Sequence, residues 1–205
     1  MSGYVLKGSE MADKVATVEG GTVATCSVCG GIHVAGARDE EEHRELNGAF
    51  VLGDYRYTLW RQAAGKPAVP WVLWVMLNPS TADASVDDPT IRKVRGFSER
   101  WGFGRFVVVN LYALRSTDPK ALWSHPAPVG PSNDWVISQL VTQGPGAIIC
   151  AWGAHAKRER ADAVTMLIYC VRGKDTPVQS LGLTKSGMPK HPLMLSYDTE
   201  REPFR

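Results

Sequence analysis

Three apolar runs, each halted by a polar or turn residue, constrain this chain more than any other feature. They are Trp71-Val-Leu-Trp-Val-Met-Leu-Asn-Pro79, Phe106-Val-Val-Val-Asn-Leu111 and Ala147-Ile-Ile-Cys-Ala-Trp-Gly153. Short apolar runs without alternation read as strands buried on both faces, as in parallel sheets. A fourth motif, Lys190-His-Pro-Leu193, is a His-Pro turn late in the chain. In open parallel sheets, ligands bind outside the carboxyl ends of the strands. If the three runs are neighbours, Asn78, Asn110, Gly153 and His191 converge on one site.

The segments between the runs alternate with them. Asp87-Asp-Pro-Thr90 opens a helix with Pro near its first turn, and Ile91, Val94, Phe97 and Trp101 recur on one face. Asn133-Asp134 caps a second helix running to Thr142, and Gly153 opens a third that carries residues 154–168. A further strand fits Pro177–Gly182. Upstream, Ala49–Leu52 and Tyr55–Trp60 alternate around Gly53-Asp54, a hairpin signature. This order predicts an α/β fold. A central, mostly parallel four-stranded sheet would carry helices on both faces as a three-layer α/β/α stack, with the hairpin preceding it. Residues 48–205 form that domain. Residues 1–47 read as an N-terminal extension, flexible or clipped by a metal, in which no helical or strand period is sustained.

A hydrophobic fraction of 44% and a charged fraction of 21% suit a globular protein in water. No run approaches the roughly 18 apolar residues that a membrane span needs. The first ten residues lack a basic region followed by an apolar stretch, so a cytoplasmic location is expected, with no membrane partner and a monomeric state. The net charge of +2 is uneven: residues 1–50 hold four basic and eight acidic residues, a balance of −4, which leaves +6 on the rest. Arg92, Lys93, Arg95, Arg100, Arg105 and Arg115 cluster within residues 92–115. Such a cluster fits a phosphate-bearing partner and a plain solvated face equally well.

Cys26 and Cys29 form a C-x-x-C, with His33 and His43 following. Zinc takes four such ligands, although the ten-residue step between the histidines differs from a standard finger. Zinc on this segment is therefore one alternative and no cofactor is the other. Cys150 and Cys170 read as buried structural thiols, which argues against an iron–sulfur cluster. A disulfide framework is not expected in a chain of this kind.

Each strand-end residue has a functional reading and a plain one. The Asn78 amide can hold a water or a ligand carbonyl, or simply close a turn with Pro79. Asn110 abuts a β-branched strand and can read a nucleobase edge, or satisfy itself in a turn. Gly153 lets a backbone approach a ligand beside Trp152, with a helix N-terminus to hold an anion. His191 can stabilise an anionic leaving group or merely face solvent. Leu193, Met194 and Leu195 can wedge between bases or pack on the core. Asp83 or Asp88 can act as general base or electrostatic stabiliser, and Asp87 or Asp88 can serve only as a helix cap.

Taken in order, these motifs resemble the uracil-DNA glycosylase superfamily. Asn78-Pro79 is similar to its water-positioning motif, with Ser80 where mismatch-specific members carry Gly. An amide also stands at position 78, where the more active classes carry Asp or Glu. Val107-Val-Val-Asn110 is similar to the strand ending in its base-reading Asn, and Trp152-Gly-Ala-His-Ala156 to its Trp-Gly-x-x-Ala turn. His191-Pro-Leu-Met-Leu195 is similar to its His-Pro loop with a leucine wedge. Four strings look more closely like a bacterial and phage family catalogued as domain of unknown function 1643. They are Leu77–Asp83, Asp87–Thr90, Val109–Arg115 and Leu181–Lys185, within residues 49–196.

The resemblance implies a protein that binds a nucleobase at the strand ends, with DNA or a nucleotide as partner. On this reading it hydrolyses the N-glycosidic bond of a uracil or modified base, with the base flipped into the pocket. Asn78 would hold the attacking water, helped by Asp83 or Asp88, and His191 would stabilise the departing base. Asn110 would read the base beside Pro79, Ser80, Trp152 and Gly153, while Arg115, Lys185 and Lys190 hold phosphates and Leu193 forms the wedge. The alternatives are a non-catalytic nucleic-acid or nucleotide-binding module and an enzyme of modified-nucleotide metabolism.

Overall fold

The computed structural model describes residues 15–18, 21–25, 32–34, 47–63, 70–80, 86–116 and 118–205. The chain divides into two units, residues 1–45 and 46–205. In the first, β1 (Val15–Val18), β2 (Gly21–Thr25) and β3 (Ile32–Val34) form an antiparallel sheet in that order. Strands form here although the sequence sustains no strand period. Val and Thr dominate β1 and β2 and favour a pleated backbone, but runs of four and five residues are too short to display a period.

The second unit is an α/β fold built on one seven-stranded mixed sheet. Its strands are β4 (Asn47–Leu52), β5 (Tyr55–Gln62), β6 (Trp71–Met76), β7 (Arg105–Asn110), β8 (Ala147–Cys150), β9 (Val178–Ser180) and β10 (Glu202–Pro203). They lie in the order β10-β9-β8-β6-β7-β5-β4. The strands β9, β8, β6 and β7 are parallel, and the unbroken apolar runs of β8, β6 and β7 suit strands buried on both faces. The expected hairpin β4–β5 joins this same sheet, because β5 pairs antiparallel with β7. The two-residue β10 closes the other edge.

The described helices are α1 (Pro89–Arg100), α2 (Pro119–Ser124), α3 (Asn133–Thr142) and α4 (Arg158–Val171). Asp88 caps α1, its Oδ1 accepting from the Ile91 N–H at 2.8 Å. The buried side of α1, with Ile91, Val94 and Phe97, packs on Val72, Trp74 and Met76 of β6 and on Phe106 and Val108 of β7. Trp74 ties the two together, its Nε1 donating to Ser98 at 3.1 Å. The opposite-parity residues Leu73, Val75, Val107, Val109, Ile148 and Cys150 are as deeply buried. On α3 and α4, which pack against each other, Val136, Ile137, Leu140, Ala161, Val164 and Ile168 turn inward.

Three local expectations are corrected. Gly153 does not open a helix: its φ is +78°, and α4 starts at Arg158. Ser132, rather than Asn133, stands at the α3 N-cap, and Asn133 is fully buried. Cys170 is exposed, because the buried positions of α4 follow Ala161, Val164 and Ile168 and position 170 falls off that face. Cys150 is buried, and burial pushes its thiol far above the usual range.

The connections set where a site can form. From β6 the chain moves to β7 on one side, then crosses to β8 on the other side of β6, with β9 beyond. The connections thus reverse direction at the carboxyl ends of β6 and β8, where the crevice of an open α/β sheet lies.

Candidate functional site

A cavity of about 660 Å³ opens at that reversal. Met76, Leu77 and Asn78 reach it from β6, Val108 and Asn110 from β7, and Trp152 and Gly153 from beyond β8. Lys190, His191, Met194 and Leu195 close it from the late loop, and Asp88, Thr90 and Ile91 from the start of α1. The sequence motifs therefore meet in one place.

Asn110 ends β7 with 1% of its surface exposed. Its backbone is pinned, since its carbonyl accepts from Asn133 Nδ2 at 2.9 Å. The next carbonyl, of Leu111, accepts from Asn133 at 3.1 Å and from Arg160 Nε at 2.8 Å. Asn110 Nδ2, by contrast, is buried with no partner among the described residues. Trp152 Nε1 is likewise buried and unpartnered, in a residue that lines the same cavity. Orphaned buried donors are uncommon, because each forfeits its hydration without replacement.

Asn78 is used differently. Its Nδ2 donates to the Ser116 carbonyl at 2.8 Å and to the Pro79 carbonyl at 3.1 Å. Both donor hydrogens are thereby committed, which leaves Oδ1, an acceptor only, as the group of this amide that has no partner among the described residues. Asp88 is the one carboxylate on the cavity wall among the described residues. Oδ1 caps α1 and Oδ2 bonds the Ser80 hydroxyl, so Asp88 joins the helix start to the Asn78 loop.

His191 caps the short 3-10 turn Pro192–Met194, its Nδ1 accepting from the Leu193 N–H at 3.3 Å. With Nδ1 an acceptor, the neutral ring carries its proton on Nε2. Burial lowers the His191 pKa below its ordinary value, and the nearby Asp88 charge opposes this without cancelling it. The ring is thus a neutral donor near pH 7. Gly153 seats it: the Gly153 N–H donates to the Pro189 carbonyl at 2.9 Å, and a Cβ there would stand 3.2 Å from His191 Cβ.

The remaining expected residues fall outside the cavity wall. Pro79 is buried and does not line it. Arg115, Lys185 and Leu193 are exposed but do not line it. Met194, 89% exposed, lines the cavity and projects further than Leu193 at 39%. The helix N-terminus expected at Gly153 is four residues displaced, so that anion site is not formed there. Asp83 lies outside the described residues, as do Cys26, Cys29, His43 and the side chain of His33. Among the described residues no cluster of His, Cys, Asp or Glu could hold a metal ion. No described helix is long and apolar enough to cross a membrane.

Sequence reasoning missed two residues. Asn133 reads as a helix cap and is in fact the anchor of the Asn110 backbone. Arg56 lines the cavity at 3% exposure, and no signal in the alternating β5 segment marked it, since its position depends on a bulge. Burial pushes its guanidinium down to about 10, Asp88 opposes the shift, and Arg115 and Arg61 add to it, so it stays charged near pH 7.

No curated protein and no solved structure matches this chain. A family model described as a protein of unknown function, DUF1643, matches residues 56–193 and so takes in the cavity wall from Arg56 to His191, with Met194 and Leu195 just beyond the match. The chain belongs to the DUF1643 family.

Proposed function

We propose that this protein binds a nucleobase in the cavity at the strand ends and hydrolyses the N-glycosidic bond that carries it, in the manner of a uracil-DNA glycosylase. The observation that carries the reading is Asn110. Its backbone is held by Asn133, and its Nδ2 is buried with no partner among the described residues, in a residue that lines a cavity large enough for a base and its sugar. An amide held this way pairs with an acceptor on a planar ring edge, and the ligand restores the bond the free protein lacks. The order of the motifs supports the same reading, as does the parallel core beneath them.

In this mechanism Asn78 Oδ1 accepts a hydrogen bond from water and aims its oxygen at the anomeric carbon. The carbon–oxygen bond forms as the carbon–nitrogen bond breaks, and the bonding pair leaves with the base. Neutral His191 donates from Nε2 to the departing base as its charge develops, an effect of the oxyanion type worth on the order of 10²–10³ in rate. Asp88 favours the positive charge that gathers on the sugar and takes up the proton released by water.

Base release tests this directly. The purified protein is incubated with single- and double-stranded oligonucleotides carrying uracil, hypoxanthine, mismatches or 5-substituted pyrimidines, and with free nucleotides. Release that His191→Ala abolishes supports the reading. Binding without release, lost in Asn110→Ala, leaves a base-binding module. Neither binding nor release would overturn the proposal.

A further inference from the structure

The late loop leads from the Gly153 turn beyond β8 to the middle of α1, and it carries Met194 and Leu195 of the cavity wall on the way. Among the described residues, the hydrogen bonds of residues 191–199 run within that stretch. His191 Nδ1 accepts from Leu193, the Leu195 N–H donates to the Pro192 carbonyl at 3.1 Å, and the Thr199 N–H donates to the Ser196 carbonyl at 3.1 Å. Side-chain packing, rather than hydrogen bonding, therefore holds this stretch to the fold. Pro192 is buried, and Leu195 and Tyr197 pack on the core beneath α1.

Tyr197 is the largest of these anchors, and α1 is shaped to receive it. Lys93, Gly96, Phe97 and Arg100 form one stripe of that helix, spaced three and four residues apart. The half-buried Tyr197 ring lies over Gly96, where an added Cβ would stand 2.6 Å from the ring and from its hydroxyl. Phe97 meets the ring edge-on, with centroids 5.1 Å apart. Lys93 Nζ and the Arg100 guanidinium stand 3.9 Å and 4.0 Å from the ring centroid. Arg100 also donates back to the Gly96 carbonyl at 3.3 Å, which holds the guanidinium at the seat. Gly is disfavoured inside a helix relative to Ala. Here it makes room for the ring, and the two cations add attraction for its π face.

We infer that Tyr197 is a positioning residue for His191: seated on Gly96, it fixes the late loop on the helix that begins beside Asp88, and so sets where the His191 ring stands on the cavity wall. The consequence for base release rests on the glycosylase reading above, whereas the seat itself does not. Both ends of the loop are held by the same device, a glycine that leaves room for a side chain. Gly153 receives His191 and Gly96 receives Tyr197. With the Tyr197 seat filled, His191 and Asp88 share one frame, since α1 carries both the Asp88 cap and the Gly96 seat. With it empty, Pro192 and Leu195 are left to hold the turn, and the His191 ring loses its fixed place.

Proton NMR of the full chain reads the seat without any ligand. The His191 ring signals are identified by their loss in His191→Ala. Gly96→Ala drives a methyl into the Tyr197 ring, Tyr197→Ala removes the ring, and Tyr197→Phe keeps it. Gly96→Ala and Tyr197→Ala are expected to shift the His191 signals. They should also lower kcat for base release at least about tenfold with KM less affected, because His191 acts as the base departs. Tyr197→Phe should behave as wild type. When Gly96→Ala is combined with Tyr197→Ala, the second change should add nothing to the first, since both act through one contact. Unmoved His191 signals in folded Gly96→Ala and Tyr197→Ala, or effects of the two that add, would overturn the inference. If Tyr197→Ala does not fold, Tyr197→Leu, which keeps an apolar side chain without a ring over Gly96, is read by the same criteria. Shifted His191 signals together with no base release by wild type would overturn the glycosylase reading and leave the positioning of His191 by Tyr197 in place.

Discussion

Asn133 Nδ2 donates to the backbone carbonyl of Asn110 at 2.9 Å, while the side-chain Nδ2 of Asn110 itself has no partner among the described residues. One buried amide is used to hold another in place with its donor idle. The two residues should therefore respond oppositely to substitution. Asn133→Asp keeps the shape but turns an acceptor toward two carbonyls and should destabilise the fold by about 3 kcal/mol or more. Asn110→Leu removes an orphaned donor and should leave stability unchanged or slightly raised, while abolishing nucleobase binding. Urea denaturation and ligand titration on both variants give the check. Equal destabilisation would mean that Asn110 has a structural role.

His191 supplies a prediction in pH. Its folded pKa lies below the ordinary value of about 6.5, chiefly through burial, with Asp88 pulling it partly back. The unfolded chain therefore takes up this proton first as pH falls. The stability contributed by the neutral ring is complete above about pH 6.5 and is lost as pH drops through the folded pKa. Asp88→Asn removes the opposing charge and should lower the pKa further. Proton NMR of the ring across pH 4–8 measures both. A His191 pKa above the ordinary value in wild type, or a rise in Asp88→Asn, would contradict the burial argument.

The parts of this site that sequence reasoning reached share one property. Asn78, Asn110 and His191 each end an apolar run or occupy a Pro turn, so their position follows from local pattern alone. Arg56 does not, because its orientation depends on a bulge, and a bulge depends on which residue of β4 faces which of β5. Asn133 was misjudged for a similar reason: an Asn before an apolar stretch has the chemistry of a cap, and only the tertiary fold shows that Ser132 occupies that place. The parallel core was legible through its unbroken apolar strands, whereas β10 is two residues long and carries no pattern.

Gly153→Ala tests the seat of His191. At φ +78° an L residue is strained, and the new methyl would stand 3.2 Å from His191 Cβ. Gly53 is the internal control, at φ +56° with nothing within 4 Å of an added Cβ. Gly53→Ala should show only the left-handed backbone cost, about 1–2 kcal/mol. Gly153→Ala should show that cost and, in addition, a displaced His191 resonance and at least tenfold weaker base release. Identical behaviour of the two variants would remove Gly153 from the site.

Asp87 carries the last prediction, which concerns the frame that holds the α1 start beside the cavity. Its Oδ1 accepts from Arg61 Nε at 2.8 Å and its Oδ2 from Arg95 Nη2 at 2.8 Å, and Arg61 is only 1% exposed. Burial alone would raise the Asp87 pKa, but the hydrogen bonds and charges of Arg95 and Arg61 outweigh it and hold the carboxyl below its usual range. A carboxylate depressed in this way contributes stability above its unfolded pKa of about 4 and loses it as pH falls through the folded value. Asp87→Asn removes the carboxylate that faces the buried Arg61 and should cost about 3–5 kcal/mol at pH 7. The gap between variant and wild type should narrow steadily below pH 4, where the wild-type carboxyl also becomes neutral. Thermal melts of both proteins from pH 3 to pH 7 decide it. A gap that stays constant across that range would show that the shape of Asp87, rather than its charge, anchors the start of α1.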